Sequence, residues 1–139
     1  MTELSTRPDV GSLEIPMDRW TEPFWEATAQ RSLLLPRCGA CGTFRWPPGP
    51  FCPTCQSQEI SWSPSGPGYL YSYTLLSVPA EGEPPRIVVP GLVEFPEAQG
   101  VRLLAPIVDS PVEALAIGIP LELTWLDGAN ATLPGFKTS

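Results

Sequence analysis

The sequence predicts a mainly β protein: one N-terminal helix, then a four-cysteine metal ribbon, then a five-stranded barrel. Three observations carry this expectation. Nineteen Pro and 12 Gly in 139 residues, with only 17% charged residues, leave little room for long helices and favour short strands joined by turns. Four Cys fall as two C-x2-C pairs. Beyond Gly66-Pro67-Gly68 the texture becomes β, with apolar residues alternating between clusters of turn formers. A hydrophobic content of 42%, with 5 Trp, 3 Tyr and 5 Phe, argues for a small packed core and against disorder.

Residues 1–17 carry Pro8, Gly11 and Pro16 and show no sustained period, which predicts a flexible arm, mobile or ordered on contact. Residues 18–32 hold the predicted helix. Thr21 is placed to cap it, Glu22 lies in the first turn, Pro23 is tolerated near the start and no Gly interrupts. Trp20, Phe24 and Ala27 fall at helical spacing, and Trp25 and Ala29 widen the stripe. That is much aromatic surface for a short helix on a small chain. Trp20, Phe24 and Trp25 are therefore candidate partner-binding residues, with packing on the chain's own core as the competing reading.

Residues 33–63 form the predicted ribbon. Cys38 and Cys41, then Cys52 and Cys55, make two knuckles separated by ten residues. Each knuckle turns two thiolates and nearby amide N–H groups toward one point, and two knuckles together make a closed tetrahedral site. Zinc suits it; rubredoxin-type iron shares the same shell of thiolates. A redox pair is disfavoured because neither knuckle lies in a βαβ pattern. With all four positions filled by protein sulfur there is no place for water, so one structural metal ion per chain is expected. Arg37 and Arg45 adjoin the knuckles and offset the negative charge of four thiolates on a divalent ion. Gly42 suits the turn leaving the first knuckle, while Gln56 at the matching place suits it less.

Residues 64–139 form the predicted barrel. Strands are expected at 69–78, 87–95, 101–108 and 119–126, with a fifth supplied by the tail around 134–136. Residues 79–86 read as a Pro-rich acidic loop and 111–116 as one helical turn. Pro90 and Pro106 belong at bulges or edges, since Pro cannot donate to a ladder. Five strands with a small helix between the third and fourth fit a Greek-key barrel of OB type, although an SH3-like barrel shares the spacing.

Composition narrows function. His is absent and the only Lys is Lys137, which removes imidazole bases, His-containing metal sites and any Schiff-base lysine in the core. Glu94, Asp109, Glu122 and Asp127 have no spacing that pairs them, so no catalytic residue is assigned. Eight Lys plus Arg against 15 Asp plus Glu give a net charge of −7, the wrong sign for gathering phosphate backbones. A single-stranded nucleic-acid reading then rests on Tyr69, Tyr71 and Tyr73 alone. Neither a basic-apolar leader nor an apolar stretch of membrane-spanning length is visible, so a cytoplasmic location is expected, with no membrane partner.

In sequence order, the aromatic helix (residues 20–27), Leu33 to Leu35, the first knuckle, Phe44 to Pro48, the second knuckle, Trp62, and the segments 66–74, 101–109 and 117–125 resemble the bacterial and archaeal acyl-CoA-associated family. Its members join a rubredoxin-like zinc ribbon to an OB-fold, and the resemblance covers residues 18–137. It implies a noncatalytic accessory subunit. The implied partner is a thiolase, a thiolase-like retro-aldolase such as those of sterol side-chain degradation, or a hot-dog-fold enoyl-CoA hydratase. It further implies that the OB domain helps hold acyl-CoA, which makes Arg86 and Arg102 candidates for the coenzyme A phosphates through their forked donors. The chain departs from the family pattern at Gly49, where many relatives carry a basic residue, and at Gln56, where Gly is usual.

Overall fold

A computed structural model describes residues 3–139, and for Ala80 the backbone alone. Helix α1 (Glu22–Ala29) begins at Thr21, whose hydroxyl makes no capping bond to the helix. The capping expectation is corrected there: the Asp18 carboxylate accepts from the N–H groups of Trp20 and Thr21, both at 2.9 Å, and so orders the entry. The helix ends where Arg31 takes a left-handed φ of 59° and the N–H groups of Arg31 and Ser32 donate to the carbonyls of Thr28 and Ala27. Phe24 is buried, with its ring edge-on to Trp25 at 4.8 Å and to Trp46 at 5.3 Å. The helix packs against β1 (Leu34–Cys38) of the ribbon and the last barrel strand.

Strand β1 pairs antiparallel with β2 (Ile60–Pro64), placing Cys38 opposite Ile60. The barrel follows: β3 (Gly68–Tyr73), β4 (Leu76–Ala80), β5 (Glu83–Glu94), β6 (Arg102–Ile107), β7 (Pro120–Asp127) and β8 (Thr132–Thr138). Strand order β3-β7-β8-β6-β5 closes on itself through β3–β5, with β6–β8 parallel and the other pairs antiparallel. This five-stranded closure with one parallel pair is the OB arrangement. Leu70, Val89, Val93, Ile107 and Phe136 fill it. A single 3-10 turn, Val112–Ala114, lies between β6 and β7, within the stretch read as one helical turn.

Three expectations change. The strand read over 69–78 breaks at Thr74-Leu75 into β3 and β4, and the acidic stretch 79–86 is no loop. It completes a β4–β5 hairpin turning at Glu81-Gly82, with Gly82 at φ 74°. Pro79, Pro84 and Pro85 are accommodated because this ribbon stands outside the barrel, where a missing N–H leaves only solvent unpaired. Pro90 and Pro106 are opposite each other in the β5–β6 ladder, neither bulged nor on a free edge. Facing prolines must form a non-hydrogen-bonded pair, so their missing N–H groups point outward. On one side β3 gives way to β4, and on the other β6 meets β8 only at Ile107.

The arm lies along the barrel. Leu4 bridges Pro111, the Ser5 N–H donates to the Ser110 carbonyl at 2.8 Å, and Arg7 pairs with Asp109 at 2.7 Å while also donating to the Trp125 carbonyl. Asn130 then exchanges two hydrogen bonds with the backbone of Ile15. Among the described residues no helix is long and apolar enough to cross a membrane.

A four-thiolate centre and an apolar barrel face

The ribbon builds its centre from two matching turns. In the first, the Gly42 N–H donates to the Cys38 carbonyl and the Cys38 N–H to that of Thr43; in the second, Gln56 donates to Cys52 and Cys52 to Ser57. Gly42 and Gln56 both adopt positive φ, 83° and 67°, so the second knuckle sets a side chain where the backbone favours glycine. The Ala40 and Cys41 N–H groups point at the Cys38 sulfur and the Thr54 N–H at that of Cys52, all at 3.4 Å.

The four Sγ atoms lie within 4.8 Å of one another, with Cys38–Cys55 at 3.5 Å and Cys41–Cys52 at 3.6 Å. A tetrahedron with metal–sulfur bonds of ~2.3 Å has edges of ~3.8 Å, so the donor set fits one zinc ion without a large rearrangement. The electrostatics point the same way. Cys38 is held down to about 6, chiefly by the Cys41 N–H at its sulfur and against the effect of burial. Cys41 is lowered by the Thr43 hydroxyl and N–H. For Cys55 the Ser57 N–H pulls downward, but the bond shared with Cys38, burial and the other two thiols outweigh it and push the group up to about 12. Four thiols this close cannot all ionise unless a cation joins them.

Arg45 ties the centre together. It is 3% exposed, and its guanidinium donates to the carbonyls of Gly49 at 3.0 Å, Ser57 at 3.2 Å and Glu59 at 2.9 Å, while its Nε is left without a partner. The Ser57 and Glu59 carbonyls also accept from the Cys52 and Gly39 N–H groups, so one side chain engages the closures of both knuckles. Arg37 stays at the surface, donating to the Gly42 carbonyl at 3.0 Å and lying 5.6 Å over the Phe44 ring.

The residues singled out as ligand contacts are not brought together. Arg102 starts β6, opposite Glu94 at the end of β5, and lies 4.2 Å over the Tyr71 ring. Arg86 sits toward the other end of β5, in the projecting hairpin, 3.7 Å from Glu83. Eight residues of strand separate their positions along β5, up to ~26 Å. The tyrosines of β3 do not form a free stacking row either. Tyr71, exposed, is the extra residue of a bulge with the Arg102 guanidinium over its ring, and the Tyr73 hydroxyl donates to the Leu115 carbonyl.

Of the helix aromatics, Phe24 is core, Trp20 is half-buried with the Arg19 guanidinium 4.6 Å over its ring, and Trp25 lines a groove. That groove, about 320 Å³, runs between α1, the Trp46-Pro47-Pro48 segment of the ribbon and the outer side of β6. A second, about 220 Å³, lies between Pro8 and Val10 of the arm and the same strands. Leu104, Pro106 and Leu133 line both, joining them into one apolar strip. Leu104, 69% exposed, is the most exposed large apolar side chain among the described residues. The signal for this strip is in the sequence: residues 103–107 and 87–93 are apolar at successive positions, not alternate ones, which marks strands apolar on both faces.

A closed four-thiolate ribbon carried on a five-stranded OB barrel defines the molecule as a zinc-ribbon OB protein, its metal structural. Residues 25–61 match the ChsH2 rubredoxin-like zinc ribbon domain and residues 63–126 the ChsH2 C-terminal OB-fold domain, and the chain belongs to this family, also known as DUF35. It is similar to a probable enoyl-CoA hydratase alpha subunit of Thermomonospora curvata, 40% identical over 119 residues, covering 82% of this chain and 36% of that protein. The chain thus spans little more than a third of that relative. It is also similar to a DUF35 domain-containing scaffold protein of Methanocaldococcus jannaschii, 32% identical over 114 residues and covering 78% of each. Among solved structures it resembles a chain of an Ltp2–ChsH2(DUF35) aldolase, with TM-score 0.77, 35% identity and coverage of 90% of this chain and 98% of that one. A DUF35 protein of unknown function from Sulfolobus solfataricus, with TM-score 0.65, 19% identity and coverage of 88% and 87%, shares the fold.

Proposed function

We propose that the chain is a noncatalytic accessory subunit that binds and supports a thiolase-like acyl-CoA enzyme, a thiolase or retro-aldolase, and helps enclose its acyl-CoA. The observation that carries this reading is the likeness to 98% of the chain in the Ltp2–ChsH2(DUF35) aldolase. The chemistry of the fold agrees with it. The metal centre offers no open coordination position, and the outer barrel face is lined by hydrocarbon and proline, which suit packing and not proton transfer. A second reading, partnership with an enoyl-CoA hydratase, is favoured by the name of the Thermomonospora relative.

The test is affinity purification of the tagged chain from its native host, with mass spectrometry of co-purifying proteins and an acyl-CoA turnover assay with and without them. A near-stoichiometric thiolase-like enzyme, with no turnover by the chain alone, is the expected result. A hydratase in its place selects the second reading. Recovery of the chain alone, or turnover by it alone, overturns both.

A further inference from the structure

We infer that the strip centred on Leu104 is the docking face for the enzyme partner, and that the partner meets it with an apolar patch bordered by Lys and Arg. This rests on the accessory reading above and adds which surface is used. Strands β5 and β6 bury their inner residues in the barrel, yet their outer residues are apolar as well: Leu92 lies opposite Leu104 and Pro90 opposite Pro106. A barrel strand that faces water on its outside should alternate with polar residues. Here α1 and the ribbon cover one margin and the arm covers the other, leaving the two grooves with Leu104 exposed between them.

Charge selects the occupant. Among the described residues, Arg7, Arg31, Arg86 and Arg102 are each paired with a carboxylate of the same chain. The acids adjoining the strip are not: Asp9 lies between the two arm residues that line the second groove and Glu22 adjoins Thr21 of the first, both exposed and neither in an ion pair, while the neighbouring Asp18 and Arg19 carry opposite charges and leave the margin acidic through the other two. A second copy of this chain would bring like charges to the border, and an anionic lipid surface would be repelled by a net charge of −7. A basic rim on a protein partner completes both the apolar and the electrostatic match.

The experiment places a photoreactive residue in the tagged full chain, Leu104→p-benzoylphenylalanine, and separately at Ile117, an apolar residue 64% exposed and outside the strip. Both chains are irradiated in the native host and the cross-linked peptides sequenced. Adducts from position 104 and not 117, joined to an acyl-CoA enzyme subunit beside Lys or Arg, are the expected result. With that enzyme purified, Leu104→Asp should weaken association roughly thirty-fold while Ile117→Asp stays within about twofold. The Asp9→Lys, Glu22→Lys double variant should slow association and flatten its salt dependence. Adducts joining two copies of this chain, adducts from 117 alone, or unchanged binding by Leu104→Asp overturn the inference. If the wild-type chain brings down an enzyme that position 104 never touches, the accessory role stands and the docking face falls. A wild-type chain recovered alone removes the accessory role and the inference with it.

Discussion

Arg45→Ala is the substitution whose consequence the structure fixes most closely. The side chain is 3% exposed and makes three hydrogen bonds to backbone carbonyls, with no carboxylate to take over its role. Hydrogen bonds from a charged donor contribute about 1.5–3 kcal/mol each, set against the cost of desolvating the guanidinium. Ser57 and Glu59 keep their knuckle partners after truncation, whereas the Gly49 carbonyl loses the donor that Arg45 supplied. The net loss is therefore about 3 kcal/mol, corresponding to a fall in melting temperature of roughly 12 °C for a chain of this size. Because the lost contacts close both knuckles, the same energy should appear in metal binding as affinity weakened by about a hundredfold, read by competition with a chromophoric chelator. Arg45→Lys retains the charge but not the fork, and should recover only part of each effect. If Arg45→Ala melts within about 2 °C of wild type and holds zinc within about threefold, Arg45 does not brace the centre.

Removal of the metal by a strong chelator, or Cys41→Ala, should unfold residues 33–63, seen as loss of the cross-strand amide protection of β1 and β2; structural zinc contributes about 10–16 kcal/mol in isolated fingers, more than a ribbon this small can replace by packing. Acid should do the same. A Cys38 thiol held down to about 6 contributes stability that is full above the ordinary thiol range and lost as pH falls through about 6, so zinc retention followed against pH should decline steadily as acid is added and be lost below that value. Gln56→Gly should stabilise the holoprotein by about 1 kcal/mol in thermal unfolding, because the φ of 67° strains any residue with a Cβ. Arg7→Ala breaks an ion pair whose side chains are 44% and 43% exposed, so global stability should change by less than about 1 kcal/mol while limited proteolysis of residues 3–15 accelerates.

The metal centre was fully legible because its chemistry is written in spacing: two C-x2-C pairs admit few geometries, and the four sulfurs converge as that spacing requires. The OB barrel was legible for a related reason, since a barrel strand with its outer face in water alternates, as residues 121–125 do. What failed were readings that depend on neighbours. Thr21 has the right chemistry for a cap, but its hydroxyl accepts from the Asp18 N–H at 3.1 Å and donates to the Asp18 carbonyl, and Pro23 lacks one of the N–H groups a cap would bind. Pro79, Pro84 and Pro85 looked like loop markers because sequence does not tell a solvent-facing ribbon from a ladder that needs every N–H. Arg86 and Arg102 have no spacing that relates them, and the register sets Arg86 in the projecting hairpin and Arg102 on β6 opposite the far end of β5.

The role of the aromatic helix turns on the same distinction. Its stripe offers two readings, core or interface, and the structure divides the residues between them. Phe24 goes inward against Trp46, and Trp25 turns to the groove. Residues 102–107 carry the consequence. Leu103, Ala105 and Ile107 satisfy the barrel, which leaves Leu104 and Pro106 facing outward. Among the described residues the helix, the ribbon and the arm cover the margins of that outer face and leave its centre open. The exposed centre is thus not a defect of packing that a better sequence would mend from within. The enzyme partner inferred for this strip would cover it with an apolar patch, and the unpaired acids at its border favour a basic rim around that patch.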